Sequence, residues 1–152
     1  MVELRPPVPA DALVLAAHLR QADVDECRAC GQSDLAPAIA VSIAASTWAV
    51  TALSAGRMVA IFGVAPRGSL LADVGSPWML GTDLVREEGR ALMRLAPQDI
   101  AAMLRLYPRL ENYVHEENTV AKAWLKRMGF ALADATPHGP LGERFHHFTM
   151  GF

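Results

Sequence analysis

Hydrophobic positions along this chain change their spacing several times, and the changes divide it into elements. Val2–Arg5 reads as a short strand, broken off by Pro6, Pro7 and Pro9. Asp11 can cap a helix running to about Arg20, with Leu13, Ala16, Ala17 and Leu19 on its apolar side. Asp23 to Cys30 forms a second helical piece stopped at Gly31, and Ser33 or Asp34 starts a third through Ile39 and Ile43. The texture then turns β-branched. Thr47–Leu53, a turn at Ser54–Gly56 and Arg57–Pro66 make a hairpin. A third strand lies around Trp78–Leu80. Residues 91–107 are helical in composition, although Pro97 must start or break a helix there. Arg109–His115 is a strand. A helix beginning at Asn118 follows, with Val120, Ala123, Trp124 and Met128 spaced to face a sheet, and Gly129 stops it. Strands near Phe130–Ala133 and Arg144–Met150 close the chain.

The order is strand, helices, three strands, helix, strand, helix, two strands. It predicts an α/β fold with a mixed, twisted sheet of about six or seven strands and helices on both faces. With 152 residues, of which 52% are hydrophobic and 20% charged, the chain suits one domain over 1–152.

The net charge of −2 does not point to a nucleic-acid surface. Leu35–Ala55 carries no charge and is long enough to cross a bilayer. Its alanines, Pro37 and several hydroxyl residues favour a buried helix to about Ala45 followed by a buried strand instead. Met1 is followed by Glu3, Arg5 and prolines, so no signal peptide is expected. Cys27 and Cys30 form a lone C-x-x-C, which can be a redox pair or half a zinc site. No second pair completes a site, so they read as two reduced cysteines and no metal is expected.

The helix over Asn118–Phe130, NTVAKAWLKRMGF, carries more than its own stability. Asn118 can accept from the free amides of the first turn, Ala121 permits close approach, and Gly129 can end the helix left-handed. Between two strands, the arrangement resembles the N-x-x-A-x-x-x-Y-x-x-x-G-F signature of the GCN5-related N-acetyltransferase superfamily. Asn118, Ala121, Gly129 and Phe130 match in register. That resemblance implies acetyl-CoA as cofactor and transfer to a small amine or a protein amine. The family's tyrosine, which often protonates the departing thiolate, falls at Leu125, and neither Tyr107 nor Tyr113 replaces it. The family's phosphate-cradling loop, R/Q-x-x-G-x-G/A, has a counterpart in Arg86, Gly89 and Ala91. There Glu87 and Glu88 oppose a pyrophosphate. The resemblance thus assigns cofactor contacts to Arg86, Gly89, Ala91, Asn118 and Ala121. Glu111, Asp83 and Asp73 are the carboxylates available as a base. His115, His146 and His147 read as surface or half-buried histidines, and the three tryptophans as core.

A narrower similarity is carried by LRQADVDE (Leu19–Glu26), SPWMLGT (Ser76–Thr82), NYVHEEN (Asn112–Asn118) and FHHFTM (Phe145–Met150). These look like the internal virion protein A family of T7-like phages. That family is acetyltransferase-like in fold and associated with phage particles or their assembly. The similarity implies other virion proteins as partners and a location in the virion or host cytoplasm. It also implies an acetyl-CoA site that has degenerated.

Overall fold

A computed structural model describes residues 1–68, 71 and 73–151. In chain order the elements are β1 (Val2–Arg5), α1 (Asp11–His18), α2 (Gln21–Ala29), α3 (Leu35–Ala45), β2 (Trp48–Ser54), β3 (Arg57–Pro66) and β4 (Val74–Gly81). They continue as α4 (Val85–Leu106), β5 (Arg109–His115), α5 (Thr119–Met128), β6 (Ala131–Leu132), β7 (Thr136–His138) and β8 (Glu143–Gly151). The eight strands described form one mixed sheet, ordered β1-β2-β3-β4-β5-β8-β6, with β7 also on β8. The sequence pattern missed only the short β7.

β3 sits centrally, and Met58–Val64 is buried throughout. Its alternation divides the core. Ile61 joins Ala12, Leu15 and Ile39 under α1 and α3. On the opposite face Ala60 and Phe62 meet Val85 and Leu92 of α4, with Trp124 of α5 alongside, and Val64 meets Met103 of α4. Helices therefore cover both faces. The uncharged stretch is α3 and β2, and no helix among the described residues is long and apolar enough to cross a membrane.

Several local expectations are corrected by tertiary contacts. Asp11 does not cap α1 but is its first residue, 3% exposed. Its carboxylate accepts from Arg5, the Val8 amide and Thr51, tying β1, β2 and α1 together. Burial raises its pKa, but Arg5, Val8 and Thr51 together hold the group below the usual range. The face of α1 against the sheet is Ala12 and Leu15, while Leu13 is 67% exposed.

α4 runs unbroken for 22 residues through Pro97. The ring removes the hydrogen bond to the Met93 carbonyl. Leu92, Ala96 and Met103, all buried, hold the helix on the core across that gap. On α5 the inward face is Ala121, Trp124, Leu125 and Met128. Val120 is 45% exposed. Gly129 ends α5 left-handed (φ 101°), as its position after Met128 requires.

Only the β4–β5 contact is parallel, and its ladder stops after Val74↔Arg109 and Gly75↔Leu110. Gly75 allows the approach: a Cβ there would sit 2.5 Å from the Tyr107 ring. Two residues on, the Asn112 side chain donates from Nδ2 to the Pro77 carbonyl at 2.9 Å, so that carbonyl faces β5. In a strand the amide of the same residue faces the same way, and Pro77 has none to donate. The strands diverge from here, and the gap they leave is the site.

Candidate functional site at the β4–β5 splay

The splay opens a cavity of about 310 Å³. Its walls are mainly apolar, with Trp78 and Leu80 from β4, Val114 from β5, Met103 from α4, and Trp124 and Leu125 from α5. Trp78 is fixed by donating from Nε1 to Ser46 Oγ at 2.8 Å. The polar end comes from α2. Arg20 grips Asp23 through Nε (2.9 Å) and Nη2 (3.0 Å), and Nη2 also donates to Asn118 Oδ1 at 2.9 Å. Asp23 accepts the Gly81 amide at 2.9 Å, and Glu26 accepts the His115 amide. The row Arg20, Asp23, Glu26 thus joins α2 to the ends of β4 and β5 and to the start of α5.

Burial pushes the Asp23 carboxyl above its usual range, although Arg20 and the Gly81 amide favour the anion. Burial likewise raises Glu26. The His115 amide opposes that rise and the Asp23 charge adds to it. Asn118 Nδ2 is buried without a hydrogen-bond partner, yet lies near enough to both carboxyls to favour their charged forms. Burial, reinforced by Asp23 and Glu26, pushes the Cys27 thiol up to about 12, so it is an inert core thiol; Cys30 is exposed. Among the described residues no three His, Cys, Asp or Glu side chains gather as a metal site.

The residues singled out from sequence fall in different places. Asn118 and Ala121 line the cavity. Asn118 precedes α5 but makes no side-chain cap; Arg20 takes its oxygen instead. Arg86, Gly89 and Ala91 do not form a loop: they lie in the first two turns of α4. Glu111 is engaged by Arg67, Arg109 and His147, away from the cavity. Asp83 and Asp73 are exposed, and neither lines it. The carboxylates that do line it are Asp23, Glu26 and Asp99. The spacing of Arg20, Asp23 and Glu26 was visible in the sequence, but their partners lie far along the chain.

The fold recurs in solved structures. A ribosomal-protein-alanine N-acetyltransferase from Brucella melitensis superposes with a TM-score of 0.75 at 15% identity, covering 99% of each chain. This chain has the GCN5-related N-acetyltransferase fold. The ribosomal-protein-S18-alanine N-acetyltransferase of Escherichia coli gives 0.69 at 16% identity, over 99% of this chain and 94% of that one. The PaiA N-acetyltransferase of Thermoplasma acidophilum, in complex with coenzyme A, gives 0.66 at 11%, over 100% and 99%. No protein-family model matches the sequence, and no curated protein sequence does.

Within this acetyltransferase fold, the backbone at the expected phosphate cradle offers coenzyme A no set of free amides. A cradle needs free amides. Here the Val85, Arg86, Glu87 and Glu88 amides already donate to the carbonyls of Thr82, Asp83 and Leu84, at 2.9–3.2 Å, and Leu84 N donates to Thr82 Oγ1. The space over Gly89 is taken by Trp124, whose ring would lie 3.2 Å from a Cβ at that position. Gly89 therefore serves helix packing. Leu125, at the tyrosine position, packs against the core cluster of Val114, Phe130 and Phe148.

Proposed function

We propose that this chain is a non-catalytic acetyltransferase-fold protein of a phage particle or its assembly, working by binding rather than by acetyl transfer. The observation that carries the first half is the closed start of α4. Its first-turn amides are spent on Thr82, Asp83 and Leu84, leaving no free backbone donors for a pyrophosphate. Leu125 supports the same reading, since a leucine packed in the core has no proton to give a thiolate. The phage half rests on the sequence landmarks. It gains support from their convergence: Arg20, Asp23 and Glu26 from the first landmark meet His115 and Asn118 from the third in one hydrogen-bonded network.

A second reading, an acetyl-CoA-dependent N-acetyltransferase acting on a small amine or a protein amine, is favoured by one feature. The apolar cavity in the splay is present, and the Asn118 amide beside it lacks a partner.

Titration calorimetry with acetyl-CoA and with coenzyme A separates the two. The first reading expects binding weaker than about 1 mM, or about −4 kcal/mol. Micromolar binding of either ligand would overturn it. Mass spectrometry of purified particles tests the phage assignment, which falls if the protein is absent both from particles and from assembly intermediates.

A further inference from the structure

A second concavity, about 610 Å³, runs along the outside of α4 and α5, and four arginines line it. Arg86, Arg90 and Arg94 stand four residues apart on α4, so they form one row with a rise of about 6 Å between neighbours. Arg127 of α5 faces the same groove. All four are exposed, and none makes an ion pair among the described residues. Among the described residues no acidic side chain lines the groove, and the nearby Glu88 accepts from Ser54 Oγ at 2.7 Å, over β2. Like charges at i,i+4 destabilise a helix, so the row works against α4 unless something neutralises it. The chain as a whole is slightly negative, so this concentration of positive charge is local.

The groove floor is apolar. Met93, Val120 and Trp124 lie between the arginines, and Val120 keeps 45% of its surface exposed. We propose that this groove docks an acidic amphipathic helix of a partner protein. Acidic residues four apart on such a helix match the rise of the arginine row, and each guanidinium can take a carboxylate through two parallel N–H bonds. Apolar residues on the same face then cover Met93 and Val120, which is the helix-in-groove mode of recognition. A nucleic-acid strand suits the groove less well. It has no apolar face for the floor, and Trp124, held against Gly89, is not a free stacking platform.

The inference rests on the binding-module reading above and supplies its docking surface. The probe is a fluorescein-labelled helical peptide of about 20 residues carrying Glu at every fourth position and Leu on the adjoining stripe. A matched peptide has Gln for Glu. Fluorescence anisotropy at low salt should show the Glu peptide binding at least about tenfold tighter than the Gln peptide. Arg90→Gln with Arg94→Gln should remove about the same factor. These side chains are exposed and repel one another, so the variant is expected to melt at or slightly above the parent temperature; Arg127→Gln is the independent check. Equal binding of the two peptides, or undiminished binding by both variants, overturns the proposal. So does tighter binding of a dT oligonucleotide of equal charge. Displacement of the peptide by coenzyme A would instead sink the non-catalytic reading. Charge-independent peptide binding without coenzyme A binding would leave that reading standing and remove only this one.

Discussion

Replacing Asp23 by Ala is the sharpest test of the network that closes the polar end of the splay. Asp23 is 2% exposed and accepts three hydrogen bonds, two from Arg20 and one from the Gly81 amide. Without it the buried Gly81 N–H has no acceptor, a loss of about 1–3 kcal/mol. Arg20, whose side chain is 12% exposed, keeps only Asn118 Oδ1 for its charge. Breaking one side of a buried pair costs about 3–5 kcal/mol in total. The Asp23 carboxyl is itself penalised by burial, so the lower end applies, about 3 kcal/mol. Against a total stability of about 5–15 kcal/mol this is a large fraction, equivalent to a fall in Tm of about 6–12 °C. Urea denaturation followed by tryptophan fluorescence and calorimetry measures it. A loss below about 1 kcal/mol would mean that water already satisfies these groups and that the network does not organise the splay. A second arm separates charge from packing. Arg20→Met with Asp23→Met removes both charges and should recover the part of the loss due to the unpaired guanidinium, while the part due to the Gly81 amide, about 1–3 kcal/mol, persists. If the double variant is no better than Asp23→Ala, the orphaned Gly81 amide carries the whole effect.

Two further outcomes follow from neighbouring residues. Glu26 has a folded-state pKa raised above its usual 4.5, first by burial and further by Asp23, so the folded state holds its proton more tightly than the unfolded chain does. Its contribution to stability is therefore fully present below pH 4.5 and is lost as pH rises through the folded value. Glu26→Gln, which keeps an oxygen for the His115 amide, should raise the urea midpoint at neutral pH and leave it nearly unchanged at about pH 4; the opposite trend would refute the assignment. Pro97→Ala restores an amide to the interior of α4, a gain of about 3 kcal/mol in helix terms. Less up to about 1 kcal/mol for the freer unfolded chain, about 2 kcal/mol should remain, raising Tm by about 4–8 °C. A melting temperature that falls instead would show that the core packs on a bend set by the proline.

Strands and helix ends were legible in the sequence wherever local chemistry decides them. β3 was readable because a continuous apolar, β-branched run between turn residues has few other solutions, and Gly129 because a left-handed helix end needs glycine. Long-range partners were not legible. Asn118 has the chemistry of a cap, but an arginine 98 residues away takes its oxygen. The inward face of α5 was displaced from the one the pattern suggested, because period 3.6 fits two adjoining stripes equally well. The segment Arg86–Ala91 matched a loop motif by residue type, but its Glu, Arg and Ala residues are good helix formers. Nothing in the motif prevents the helix from starting early.

The same contrast bears on function. In this chain, groups that the resemblance would have face a cofactor are turned to internal contacts at three separate places. The α4 amides bond to Thr82, Asp83 and Leu84. The space beside Gly89 is filled by Trp124. The oxygen of Asn118 is held by Arg20, whereas Leu125, packed on the core cluster, still lines the cavity. Random loss of a site would be expected to leave cavities and orphaned polar groups, which are costly. Here those three are satisfied internally, while Asn118 Nδ2 is left without a partner and the cavity of about 310 Å³ in the splay stays open. Closure is therefore confined to the start of α4 and to the Asn118 oxygen, and the unpaired arginines of α4 and α5 beside it are where the surface carries unspent charge.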